Sequence, residues 1–162
     1  MKLAVGLGSL SLLPRAIAAS SVEEGMRESE LIYLSPIKSN GELSRCQAEI
    51  WFVEHEGDMY VCTGTESWRA TAPTLGLAET QVWVGDVGVW TRSNGRYLAL
   101  PSVRANASIV DDAELIEVLL DKFGDKYPLG WIVWSSRFRN GLKDGSRTML
   151  RYSPLAADPS QA

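Results

Sequence analysis

The spacing of apolar and polar residues changes character along the chain. From Leu31 to Arg104 it carries the signals of strands. Leu31-Ile32-Tyr33-Leu34-Ser35-Pro36-Ile37 is rich in β-formers, and Pro36 marks an edge or a strand end. Asn40-Gly41 is a hairpin turn signal, and residues 45–54 read as a second strand. Glu56-Gly57-Asp58 turns the chain, and Met59-Tyr60-Val61-Cys62-Thr63 returns it. Gln81-Val82-Trp83-Val84 and Val87-Gly88-Val89-Trp90-Thr91 flank Gly85-Asp86, a tight hairpin signal. Asn94-Gly95 turns into Arg96-Tyr97-Leu98-Ala99-Leu100. Strands at this spacing predict a mainly β domain, an antiparallel barrel or sandwich.

Residues 111–127 have a helical period instead. Asp111, with Glu114 three positions on, predicts a capping box. Leu115, Ile116, Leu119, Leu120, Phe123 and Tyr127 share one face, and Pro128 ends the helix. Residues 131–138 are apolar and aromatic, either a second short helix or a buried loop. Asp144-Gly145 turns into a closing strand at 148–152. Residues 22–30 are charged and predict a short leading helix.

The amino terminus has the layout of an export signal. Lys2 precedes an apolar run from Leu3 to Leu13, and Ala16-Ile17-Ala18-Ala19-Ser20-Ser21 resembles a cleavage site. The run is shorter than the ~20 residues a membrane span takes. A core helix is the competing reading. The expected organisation is a signal at 1–18, one domain at 22–155 and a disordered tail at 156–162. A signal of twin-arginine type is in keeping with Arg15, although no Arg-Arg pair is present. Cleavage would put the protein in the periplasm or outside the cell, with no membrane attachment; without it the protein is cytoplasmic.

Composition narrows the chemistry. The 162 residues suit a single domain, and 45% hydrophobic with 22% charged is ordinary globular usage. A net charge of −4 argues against a nucleic-acid partner. One His and two Cys exclude most zinc sites, and no metal site is expected. The hairpin centred on Glu56-Gly57 would place Cys62 opposite Trp51. Cys46 would then lie five residues beyond, roughly 17 Å at ~3.4 Å per residue. That is too far for a disulfide, so free thiols are expected.

The most informative stretch is Tyr60-Val61-Cys62-Thr63-Gly64-Thr65-Glu66-Ser67-Trp68-Arg69. A strand end followed by hydroxyls, the start of a helix and one guanidinium suits a phosphate or other anion. Arg69 is the one Lys or Arg between Arg45 and Arg92, so this stretch has one cation to offer. Ordinary polar caps and turns would use the same residue types. Trp83, Trp90, Trp131 and Trp134 suit the core or an interface. Arg104 is expected to pair with an acid, and His55 to be solvated. Arg137 and Arg139 suit a partner's pocket or solvent equally.

The order of these pieces resembles the pyridoxamine 5′-phosphate oxidase-like, flavin-binding split β-barrel proteins. It comprises the Asn-Gly turn, Ile50-Trp51-Phe52-Val53, Tyr60-Val61 with Thr63, and Ser67-x-Arg69. Val82-Trp83-Val84-Gly85, Phe123-x-x-Lys126-Tyr127-Pro128 and Arg151-Tyr152-Ser153-Pro154 agree with it. The resemblance covers roughly residues 30–155. It implies an antiparallel split β-barrel, Greek-key-like, with one amphipathic helix at about 111–127. It implies a homodimer with FMN at the subunit interface, and Thr63, Ser67, Trp68 and Arg69 as the cofactor-binding positions. The implied activity is flavin-dependent oxidation or reduction of a small-molecule substrate. A non-catalytic barrel that binds haem, a deazaflavin coenzyme or no cofactor is the alternative. The basic strand pair of true pyridoxamine phosphate oxidases has no counterpart near Glu49, so vitamin B6 is not the implied substrate.

Overall fold

A computed structural model describes residues 13–156, with side chains from residue 21 onward. The first twelve residues of the predicted signal lie outside the described residues, as does the predicted tail beyond Ala156. The elements are α1 (Leu13–Glu28), β1 (Leu31–Pro36), β2 (Ala48–Trp51), β3 (Val53–His55), β4 (Asp58–Gly64), α2 (Trp68–Thr71), β5 (Glu79–Val84), β6 (Ser102–Val110), α3 (Ala113–Lys126), α4 (Pro128–Asp144) and β7 (Arg147–Pro154). Seven strands form one antiparallel sheet in the order β2-β1-β5-β6-β7-β4-β3. Its two edges, β2 and β3, are consecutive in the chain and separated by Phe52 alone. The sheet therefore curls until one kinked segment finishes both edges, which makes a nearly closed barrel with accessory helices.

The single second strand expected at 45–54 is thus two strands with different partners. β2 pairs with β1 and β3 pairs with β4. The kink at Phe52 is held from outside the sheet by Tyr127. Its hydroxyl accepts from the Phe52 N–H at 3.0 Å. It lies 2.7 Å from the carbonyl oxygens of both Phe52 and Glu30, to either of which it donates. A side chain thereby replaces the ladder bonds that a buried backbone must otherwise make. Burial pushes the Tyr127 phenol well above its ordinary pKa, so it stays protonated as this latch requires. The predicted hairpin register holds as far as Val53↔Tyr60. Beyond the kink it fails, and Cys62 lies opposite Met149 of β7 rather than Trp51. Both cysteines are free, as expected.

Residues 85–101 also depart from expectation. The strands predicted at 87–91 and 96–100 are absent, replaced by 3-10 turns at Trp90–Arg92 and Arg96–Ala99. Gly88, Asn94 and Gly95 all have φ between 53° and 76°, a left-handed backbone that breaks a ladder. The loop is instead fastened to the barrel by Tyr33, whose hydroxyl donates to the Gly88 carbonyl at 2.6 Å and accepts from the Val87 N–H at 2.9 Å. Tyr97 fills the space below, stacked on Tyr33 and edge-on to Trp83.

The predicted helix forms, capped by Asp112 rather than Asp111. The Asp112 carboxylate accepts from the N–H groups of Glu114 and Leu115 at 2.9 and 3.1 Å. Pro128 ends α3 and opens α4, so residues 131–138 belong to a 17-residue helix, and the one expected amphipathic helix has companions. Two buried layers result. Ile32, Leu34, Phe52, Met59, Val61, Val82 and Leu150 fill the barrel, closed at one end by Val22 and Met26 of α1. The alternate residues of β4 and β7, Tyr60, Cys62 and Met149, face outward beneath Leu119, Leu120, Phe123 and Phe138 of α3 and α4. This second layer fixes α4 against the barrel wall, where it lines the site described next.

Candidate functional site

β4 delivers Thr63 to the barrel rim, where its side chain is buried. The chain then turns through Gly64 and Thr65. The Thr65 hydroxyl donates to the Gly145 carbonyl at 2.7 Å, and its N–H donates to the Ser146 carbonyl at 3.0 Å. Thr65 therefore ties the loop to the start of β7. Ser67 opens α2, yet its hydroxyl makes no cap bond and lies 3.4 Å from the Thr63 hydroxyl. That leaves both hydroxyls turned to each other instead of to the helix end. α2 is a single turn, so little macrodipole is available, and the anion chemistry expected of a helix start falls to side chains.

Arg69 follows within α2. Its Nε is buried and has no hydrogen-bond partner among the described residues. A buried charged donor of this kind is costly unless something accepts from it. Arg69 lines a cleft of about 440 Å³ together with Thr63, Glu49, Trp51, Cys62, Trp134, Phe138 and Arg147. The volume lies in the usual range for small-molecule sites, ~300–1,000 Å³. Trp51 stacks on Tyr127 with ring centroids 4.4 Å apart and meets Trp134 edge-on at 6.4 Å. One wall is therefore a braced aromatic surface.

Of the four residues singled out from the sequence, Thr63 and Arg69 line the cleft. Ser67 reaches it through the Thr63 hydroxyl. Trp68 is 37% exposed and lies outside the lining. Arg147 was not anticipated. β4 pairs with β7 so that Gly64 lies opposite Arg147, which places a second guanidinium at the cleft. The expectation of a single cation is corrected by this pairing. The stem of Arg147 runs where a Cβ on Gly141 would sit, at 2.7 Å, and its head lies 5.5 Å from the Phe138 ring. Gly141 is thus the small residue that lets Arg147 pass under α4. In sequence, the one available signal was a basic residue opening the final strand.

Cys62 is beside Arg147, but burial outweighs that cation and raises the thiol to about 11. It is a packed, protonated thiol rather than a nucleophile. The Glu49 carboxylate accepts from the Trp90 N–H at 3.1 Å and holds the 85–101 loop to the cleft's edge. Other candidates are already engaged. Arg104 pairs with Glu79 at 3.4 Å, as expected. Arg139 pairs with Glu117 at 2.6 Å. Arg137 lies over the Trp134 ring at 5.0 Å. No group of three or more His, Cys, Asp or Glu side chains among the described residues could hold a metal. No helix among them is long and apolar enough to cross a membrane.

No protein-family model matches the sequence. No curated protein matches it significantly either. Solved structures do match. The chain is similar to HutZ, the heme storage protein from Vibrio cholerae, at 17% identity over 85% of this chain and 90% of that one, with a TM-score of 0.56. It is similar to Campylobacter jejuni ChuZ at 13% identity over 86% of this chain, with a TM-score of 0.58, and spans 53% of that longer chain. It is also similar to a Clostridium acetobutylicum protein related to general stress protein 26, of the pyridoxinephosphate oxidase family. There the identity is 15% over 88% of this chain and 86% of that one, with a TM-score of 0.51. The fold is the pyridoxamine 5′-phosphate oxidase-like split barrel.

At identities this low the likeness concerns the fold, and the residues of this split barrel must speak for its ligand. Two hydroxyls and two guanidiniums beside an aromatic wall fit an anionic group carried on a flat ring system. The unpartnered Arg69 Nε is the atom that asks for such an acceptor.

Proposed function

We propose that this split barrel binds FMN and serves as a flavin-dependent oxidoreductase for a small molecule. The observation that carries the reading is the buried, unpartnered Nε of Arg69, a residue that lines the cleft together with Thr63. Thr63, Ser67, Arg69 and Arg147 would hold the phosphate. Trp51, Trp134 and Phe138 would offer the ring a surface to pack on. A bound flavin supplies hydride and electron transfer through its own ring system, while the protein supplies position and electrostatics. The lack of a reactive His or Cys at the cleft is in keeping with that division.

The haem alternative has less support in the residues. His55 does not line the cleft, and Cys62, the one Cys that does, is held as a neutral thiol. Neither offers an axial ligand of the usual kind. Purified protein, titrated with FMN and followed by visible absorbance and quenching of flavin fluorescence, tests the reading. Saturable uptake and a yellow protein are expected. Colourless protein that takes up no FMN, or a haem absorbance band in the isolated protein, would overturn it.

The same reading includes a homodimer with the cleft near the two-fold axis. Leu129, Ile132 and Val133 on α4 are 83%, 78% and 65% exposed, an apolar face on the helix that carries Trp134 and Phe138. Burying it against a second copy is in keeping with the commonest symmetry of homo-oligomers. Light scattering of FMN-loaded protein at micromolar concentration should report twice the chain mass. A monomer with FMN bound would remove the shared-site model.

A further inference from the structure

Between α1, α3 and β3 lies a second pocket of about 410 Å³. Lys126, the last residue of α3, enters it. Its Nζ lies 3.5 Å from the centroid of the Phe52 ring and 5.6 Å from that of Tyr127. Among the described residues it forms no ion pair within 4 Å, although Glu30 and Glu54 are near enough to act on it through space. The other charged groups around it are Arg27 from α1 and Lys122 and Asp125 from α3. We propose that this pocket is a second reactive site, in which the Lys126 amine condenses with the carbonyl of a small carboxylate-bearing aldehyde to form an imine.

Three features support that chemistry. The first is the nucleophile. Burial lowers the Lys126 ammonium to about 8, against the opposite pull of Glu30 and Glu54. At pH 7.5 roughly a quarter of the amine is then neutral, against about one part in a thousand for an ordinary lysine. The second is the anion subsite. Arg27 and Lys122 line the same pocket and would take the carboxylate. The third is a proton relay. The amine lone pair forms the C–N bond and one amine proton moves to the carbonyl oxygen, giving a carbinolamine. Its hydroxyl takes a second proton from solvent, the C–O bond breaks and water leaves, and the remaining N–H proton returns to solvent, with the Glu54 carboxylate in the pocket wall to carry it. One amine and one aldehyde give one imine and one water, with no oxidant or reductant.

A lysine stem that merely covers Phe52 would show none of this behaviour. The test uses the full chain with glyoxylate and cyanoborohydride, which traps the imine, and peptide mass spectrometry to locate the adduct. Lys126 should be labelled at least about tenfold faster than Lys38 and Lys143, with a rate that rises around pH 8. Arg27→Ala, an exposed substitution that leaves the barrel intact, should slow labelling by glyoxylate but not by acetaldehyde. Equal labelling of Lys126 and Lys143, or no labelling of Lys126, would overturn the site. Labelling that ignores both the carboxylate and Arg27 would overturn the substrate class. Neither readout involves flavin, so the outcome is independent of the first cleft.

Discussion

Arg69→Ala should weaken FMN binding by roughly ten- to more than a hundredfold. The guanidinium would make charge-assisted hydrogen bonds to the phosphate, and bonds of that kind contribute ~1.5–3 kcal/mol. Arg147→Ala should cost a similar amount, because its guanidinium reaches the same cleft from β7. Ser67→Ala removes a neutral hydroxyl and should cost near ~1 kcal/mol. The barrel should survive all three changes. Ser67 and Arg69 lie at the start of the one-turn helix α2, half-buried and outside the barrel core, and Arg147 opens β7 without being buried. Flavin titration of each variant, with circular dichroism as the control, checks this. The double variant separates two cations acting on one phosphate from two acting apart, since a shared group makes the losses non-additive. Affinity unchanged in Arg69→Ala would place the phosphate elsewhere and remove the role given to its Nε.

Phe123→Ala should destabilise the protein by ~3–5 kcal/mol, a large share of the ~5–15 kcal/mol that holds a domain folded. Phe123 is fully buried where α3, α4 and the barrel wall meet. Its ring stacks on Tyr127 and Trp131 at 6.0 Å and meets Phe138 edge-on at 5.4 Å. Truncation leaves a cavity that α4 and the barrel wall, each held by its own contacts, cannot fully close. The urea midpoint should fall by more than about 1 M, given a slope of ~1–3 kcal/mol/M. FMN affinity should fall as well, because Phe138 and Trp134 would lose the packing that presents them to the cleft. A loss below about 1 kcal/mol would show that α4 is held by something other than this aromatic cluster.

The cleft explains why the chain's own chemistry looked thin when read in order. Thr63, Ser67 and Arg69 lie within seven positions, and a strand end followed by a polar turn was enough to pick them out. Arg147 is 78 residues beyond Arg69, and Trp134 and Phe138 belong to a helix whose apolar residues suited a buried loop equally well. The role of Gly141 was hidden for the same reason, since it depends on which side chain passes beneath it. Lys126 is the last residue of α3, and the linear pattern does not show what surrounds it. Its environment comes from Phe52 and Tyr127.

What could be read directly were features with local causes. β1, β4 and the final strand follow from β-branched and aromatic runs between turn residues. α3 follows from one face of apolar residues between an acidic start and Pro128. Those preferences act over a few residues, so the linear pattern contains them. The misread segments have causes from far along the chain. Residues 45–54 look like one strand, but Tyr127 satisfies Phe52 and lets the chain change partners there. Residues 87–100 alternate like strands, but Tyr33 takes up the backbone groups that a ladder would use. The second guanidinium reaches the cleft because β4 pairs with β7, between residues more than 80 positions apart. Local propensity sets which backbone shapes are cheap, whereas a buried polar group must find its partner wherever the closed barrel puts one.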